Sequence, residues 1–102
     1  MGIVVVVEDE RGKTIASLTD STNILHSLLP AQDDLLFRCL NRVDWHGNTT
    51  FNRHQIRDVL QELKRLATGG RSVEELRLLR RIEELATQCE AETHHYLKFY
   101  GD

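Results

Sequence analysis

His94-His95-Tyr96-Leu97-Lys98-Phe99-Tyr100-Gly101-Asp102 closes the chain, and its alternation decides how the fold is read. Successive side chains of a strand point to opposite faces. His95, Leu97 and Phe99 therefore share one face, and Tyr96, Lys98 and Tyr100 share the other. Unanchored termini are seldom this aromatic, so the pattern predicts a final strand. The partner it calls for is Ile3-Val4-Val5-Val6-Val7, a β-branched run without polar alternation, as suits a strand central in its sheet. Glu8 to Lys13 reads as a turn in which Gly12 supplies a positive φ, and Thr14 to Leu18 reads as the returning strand. The expectation is an α+β fold. An N-terminal β-hairpin and the C-terminal strand form a three-stranded antiparallel sheet, Ile3–Val7 in the middle, packed against three to four α-helices.

The helices lie between the hairpin and the tail. Thr19-Asp20-Ser21-Thr22-Asn23 is rich in capping side chains and precedes Ile24, Leu25, Leu28 and Leu29, a short helix stopped by Pro30. Asp33 and Asp34 suit the first turn of a second helix, with Leu36, Leu40 and Val43 at helical spacing; this helix should run to about Asn41. A third is marked by Ile56, Val59, Leu60, Leu63, Leu66 and Ala67, and ends at Gly69-Gly70. Ser72 and Glu75 form a capping box for the last helix, whose stripe is Val73, Leu76, Leu79, Ile82, Ala86 and Cys89. Its opposite face alternates Glu and Arg, as a solvated surface does.

At 102 residues the chain reads as one domain, 1–102, long enough to bury a core without disulfides or metal. A net charge of -3, with basic residues dispersed, argues against a nucleic-acid partner. The apolar run at Ile3–Val7 is too short for a signal peptide, and no segment approaches the roughly 20 apolar residues of a membrane span. Cys39 and Cys89 fall on apolar helix faces and read as buried reduced thiols, although a disulfide stays open. A cytoplasmic protein is expected.

One stretch breaks the helical pattern: Arg42-Val43-Asp44-Trp45-His46-Gly47-Asn48-Thr49-Thr50-Phe51-Asn52-Arg53-His54-Gln55, which holds the only Trp. Two readings compete for it. As a degenerate EF-hand-like calcium loop over residues 44–55, it would offer Asp44, Asn48, Asn52 and Gln55 as oxygen ligands, with His46 at a ligand position. Thr49 stands where that loop needs Gly, and Gln55 where it needs a bidentate Glu. As architecture, Asn52 and Gln55 form a capping box, Phe51 and Ile56 a hydrophobic staple, and Asp44 shapes the turn before Asn48. The second reading accounts for more of the residues.

Zinc finds no C-x₂-C or H-x₃-H spacing among Cys39, Cys89, His46, His54, His94 and His95. No nucleophile elbow, P-loop, dinucleotide fingerprint or H-E-x-x-H is present, and adjacent Asp33 and Asp34 diverge by about 100° on a helix. A Cys–His pair assembled in space stays open. No cofactor is called for. What remains is chemistry suited to a protein partner: Trp45 and His46 in the loop, and Tyr96, Lys98 and Tyr100 on one strand face. Trp and Tyr bury large area at low rotamer cost.

The motif D-x-x-G-N-T-x-F-N at Asp44–Asn52, together with Y-L-K-F-Y-G-D at Tyr96–Asp102, resembles small bacterial proteins in which a similar loop precedes a helix and an aromatic strand ends in Gly-Asp. The resemblance implies single-domain architecture and no particular activity. The functional expectation is a non-catalytic protein-interaction domain, with a small immunity or antitoxin-type inhibitor as its concrete form. The alternatives are the calcium module and a small enzyme without a local signature.

Overall fold

The computed structural model describes residues 3–20 and 24–101. In chain order the elements are β1 (Val4–Asp9), β2 (Thr14–Thr19), α1 (Ile24–Leu28), a 3-10 turn (Leu40–Arg42), β3 (Asn48–Phe51), α2 (Arg53–Ala67), α3 (Val73–Ala91) and β4 (His95–Tyr100). The fold is α+β. The strands form one antiparallel sheet in the order β2-β1-β4-β3. β1 lies between the returning strand and the tail, Val5 opposite Phe99 and Val7 opposite Leu97.

The expected three-stranded sheet is corrected to four. Asn48–Phe51, expected as loop and helix entry, is a strand on the far side of β4, with Thr49 opposite Phe99 and Phe51 opposite Leu97. Its pairing partner lies about fifty residues away, so nothing local announces it. Phe51 then meets Phe99 edge-on, with ring centroids 5.8 Å apart at 89°. This edge-to-face arrangement is the one aromatic quadrupoles favour.

One side of the sheet carries the core. Val5, Val7, Leu18, Phe51, Leu97 and Phe99 join Ile56, Val59 and Leu63 of α2 and Leu79, Ile82 and Ala86 of α3 in a single buried cluster. Both long helices start as their local chemistry demands. The Asn52 side chain accepts from the Gln55 amide while Gln55 Oε1 accepts from the Asn52 amide, and Ser72 and Glu75 reciprocate in the same way. For α1, Asp20 caps from a buried position, its carboxylate accepting the Ile24 amide at 3.1 Å and the Leu25 amide at 2.6 Å. The capping residues expected at Ser21, Thr22 and Asn23 lie outside the described residues. The stripe of α3 is shorter than expected: Val73 and Leu76 are exposed, and burial begins at Leu78.

A second correction concerns the helix expected from Asp33 to about Asn41, which does not form. The segment is a chain of separate turns ending in the 3-10 turn. Leu35 and Leu36 are 74% and 66% exposed, while Phe37, Cys39 and Leu40 turn inward. Competing hydrogen bonds explain the departure. The Asp34 carboxylate takes the Leu36 amide at 3.0 Å. Glu62, reaching from α2, takes the Leu40 amide at 2.8 Å and the Cys39 amide at 3.1 Å. The Arg65 guanidinium, also from α2, donates to the Leu36 carbonyl and lies 5.7 Å from the Phe37 ring centre. Donors that would continue a helix are thus held by side chains of another one. The three described α-helices fall within the expected three to four, with the 3-10 turn standing where the second was expected.

Candidate functional site

Opposite the core, β1 presents Val4, Val6 and Glu8, and β4 presents Tyr96, Lys98 and Tyr100. Across the sheet these pair as Val4 with Tyr100, Val6 with Lys98 and Glu8 with Tyr96. Ser17 and Thr19 of β2 flank them on one side, and Asn48 and Thr50 of β3 on the other; all four are exposed. Val6 is buried yet stands outside the core cluster.

A polar bridge spans this face beside Val6. The Lys98 Nζ sits 2.9 Å from one Glu8 carboxylate oxygen, and the Tyr100 hydroxyl donates to the other. Tyr100 lies opposite Val4 and Lys98 opposite Val6, so both side chains lean along the strands to meet at Glu8, over Val6. Glu8 is only 6% exposed despite lying away from the helices. The Tyr100 hydrogen bond, seconded by Lys98, outweighs desolvation and holds the Glu8 carboxyl below its ordinary range. The same hydrogen bonds raise Lys98 and Tyr100 above theirs. At neutral pH the three therefore stand as carboxylate, ammonium and neutral phenol. Lysine nucleophiles and tyrosine bases require the opposite shifts. The bridge can position rings and a compensated charge pair; it does not ready a group for proton abstraction or attack.

The loop residues occupy another place. Trp45 is half-buried against the core, and its ring centroid lies 4.0 Å from that of His26 of α1. The loop is latched to the end of β4, where the Gly101 amide donates to the Gly47 carbonyl at 2.7 Å. A Cβ on Gly101 would lie 2.4 Å from the Trp45 carbonyl oxygen, so only glycine fits there. His46 is exposed, its amide held by the Asp44 carboxylate at 2.9 Å. Of the five residues expected at a partner surface, Tyr96, Lys98 and Tyr100 share the outer face, whereas Trp45 packs on the core side.

The four oxygen ligands of the calcium reading are engaged separately. Asp44 closes its own turn, Asn48 lies in β3 on the outer face, and Asn52 and Gln55 are joined in the capping box of α2. Among the described residues no three His, Cys, Asp or Glu side chains gather to hold a metal ion. Cys39 and Cys89 are free and buried, and burial pushes both thiols up to about 11. Neither supplies an activated thiolate near neutrality.

Glu8 is a site residue that the sequence pattern disguises, because Glu8 to Lys13 reads as a turn. The signal was the alternation Val4, Val6, Glu8, which continues one strand face into a charge. Glu62 was missed as well, and no local signal marks it. Among the described helices none is long and apolar enough to cross a membrane. Compared with protein-family models, curated proteins and solved structures, the chain has no match.

Proposed function

We propose that the chain is a non-catalytic protein-interaction domain of the cytoplasm, a small acidic inhibitor of the immunity or antitoxin kind, whose partner docks on the outer face of the sheet. The observation that supports this most is the Tyr100–Glu8–Lys98 bridge. It fixes one tyrosine and a lysine over Val6, beside Tyr96, on a face outside the core. Rings held before binding lose little conformational freedom on docking, which is how tyrosine-rich patches become energetic centres of interfaces. The charge pair is already compensated, so the face favours a partner of mixed polar and apolar character over a polyanion. Buried, reduced thiols agree with a cytoplasmic setting.

The test is affinity capture from the native host with the wild-type chain and with Tyr96→Ala and Lys98→Ala variants as bait. A protein retained by the wild type and weakened at least tenfold by either variant is expected. Equal capture by all three would remove the outer face as the site. No reproducible partner would remove the interaction reading itself.

A further inference from the structure

The geometry points to a second docking surface: we propose that the trough between β2 and α3 accepts an extended peptide segment, apolar with an acidic residue at its centre, as an added strand on β2. The proposal rests on the reading of the chain as an interaction domain and places a distinct ligand on a distinct surface.

β2 is an edge of the sheet. The Asp20 amide donates to the Ile3 carbonyl at 3.3 Å, which sets the alternation of the ladder. Leu18, opposite Val5, and Ala16, opposite Val7, then exchange hydrogen bonds with β1. Ser17 and Thr19 turn their amides and carbonyls to the open side. Edge strands are commonly guarded by charge, proline or bulges. β2 reads Thr-Ile-Ala-Ser-Leu-Thr, without a charge or a proline, and its one irregularity lies at the Val7/Glu8 step, leaving Ala16–Thr19 regular. β3, the other edge, has four residues and passes directly into α2.

Beside β2 runs a trough made of two cavities, of about 580 and 140 Å³, that share Leu18 and Arg81. Ile24, Leu78 and Leu85 add apolar walls. A strand laid along β2 would send alternate side chains into it, which is how strand addition acquires specificity. The charge along α3 sets what those side chains should be. Arg77 and Arg81, one helical turn apart, hold the middle, with Glu74 and Glu84 towards the ends. Among the described residues neither arginine enters an ion pair. Asp20, the acid that lines the trough from outside α3, has both oxygens engaged by the amides of α1. An acidic side chain between two apolar ones is complementary to that order, and a basic one is not.

The probe is a synthetic seven-residue peptide, Thr-Leu-Thr-Asp-Val-Leu-Thr with blocked ends, titrated into the isotope-labelled full chain and followed by amide shifts. A dissociation constant of about 0.1 mM or tighter is expected, with shifts at Ser17–Thr19 and along α3. Replacing the peptide's Asp with Lys should weaken binding about tenfold or more. Arg81→Glu should reverse that preference, and Ser17→Pro, which removes an outward amide and spares the β1 ladder, should abolish binding while the circular dichroism spectrum is kept. Absence of binding at millimolar peptide, equal affinity for the two peptides, or shifts confined to Tyr96–Tyr100 would overturn the proposal. Tyr96→Ala, which disables only the outer face, should leave peptide affinity unchanged, so the two surfaces fail or stand separately.

Discussion

Glu62 is the most informative residue to remove. It is a carboxylate 5% exposed on α2, and among the described residues it is the one side-chain acceptor for the Cys39 and Leu40 amides. Glu62→Ala keeps a strong helix former in α2 and leaves those two amides buried without a partner. A buried donor stranded by loss of its acceptor costs roughly 1–3 kcal/mol. Water can reach Cys39 more readily than Leu40, and removing a buried charge returns part of its desolvation cost. The net expectation is a loss of about 3 kcal/mol, a large share of the roughly 5–15 kcal/mol typical of folded domains. In a domain of this size that lowers Tm by roughly 12–24 °C. Glu62→Gln keeps an acceptor oxygen, so its loss should stay near 1 kcal/mol. Urea unfolding followed by circular dichroism and Trp45 emission gives both values, and amide exchange should show Cys39 and Leu40 losing protection before α2 does. A loss below about 1 kcal/mol for Glu62→Ala, or equal losses for the two variants, would refute the view that Glu62 replaces the helix expected at residues 33–41.

Other expectations are as direct. The Glu8 carboxyl is lowered in the folded chain, so its contribution is complete above its unfolded value and is lost as pH falls through the folded one. Lys98 and Tyr100 are raised, so their contribution is present at neutral pH and is lost as pH rises through their folded values. Comparing Tm of the wild type and Glu8→Gln from pH 7 to 3 should show the wild type's advantage shrinking below about pH 4.5; parallel curves would mean the bridge adds nothing. Gly101→Ala drives a methyl into the Trp45 carbonyl, and a loss of about 2 kcal/mol with a red-shifted Trp45 emission is expected in unfolding titrations. With thiols near 11, roughly one in a thousand is thiolate at pH 8, so a thiol reagent should label Cys39 and Cys89 only as fast as the chain opens.

The parts of the fold legible in the sequence were those set by neighbours a few residues apart. The alternation of Tyr96 to Tyr100 placed Leu97 and Phe99 in the core and located β4 beside β1. The capping boxes at Asn52/Gln55 and Ser72/Glu75 are local arithmetic and stand as read. What escaped was set from a distance. β3 exists because β4 is beside it, and residues 33–41 leave the helix because Glu62 and Arg65 reach across from α2. Val73 and Leu76 keep the period of α3 but extend beyond what it covers. On the outer face the tyrosines are visible in the sequence as a set, whereas Glu8, which ties Tyr100 to Lys98, is hidden because the strand reads there as a turn.

The position of β4 has a consequence for how the domain is made. It is last of the four strands along the chain and pairs with both β1 and β3, bringing Val4 opposite Tyr100. During synthesis the hairpin of β1 and β2 can close early, but its inner side and all of β3 wait for a strand that emerges only after α3. Nascent chains therefore carry two unfinished strand edges and an uncovered Phe51 until then. Pairings this distant in sequence make for slow folding, and interruption of synthesis anywhere before His95 should yield aggregation-prone fragments in place of a smaller domain.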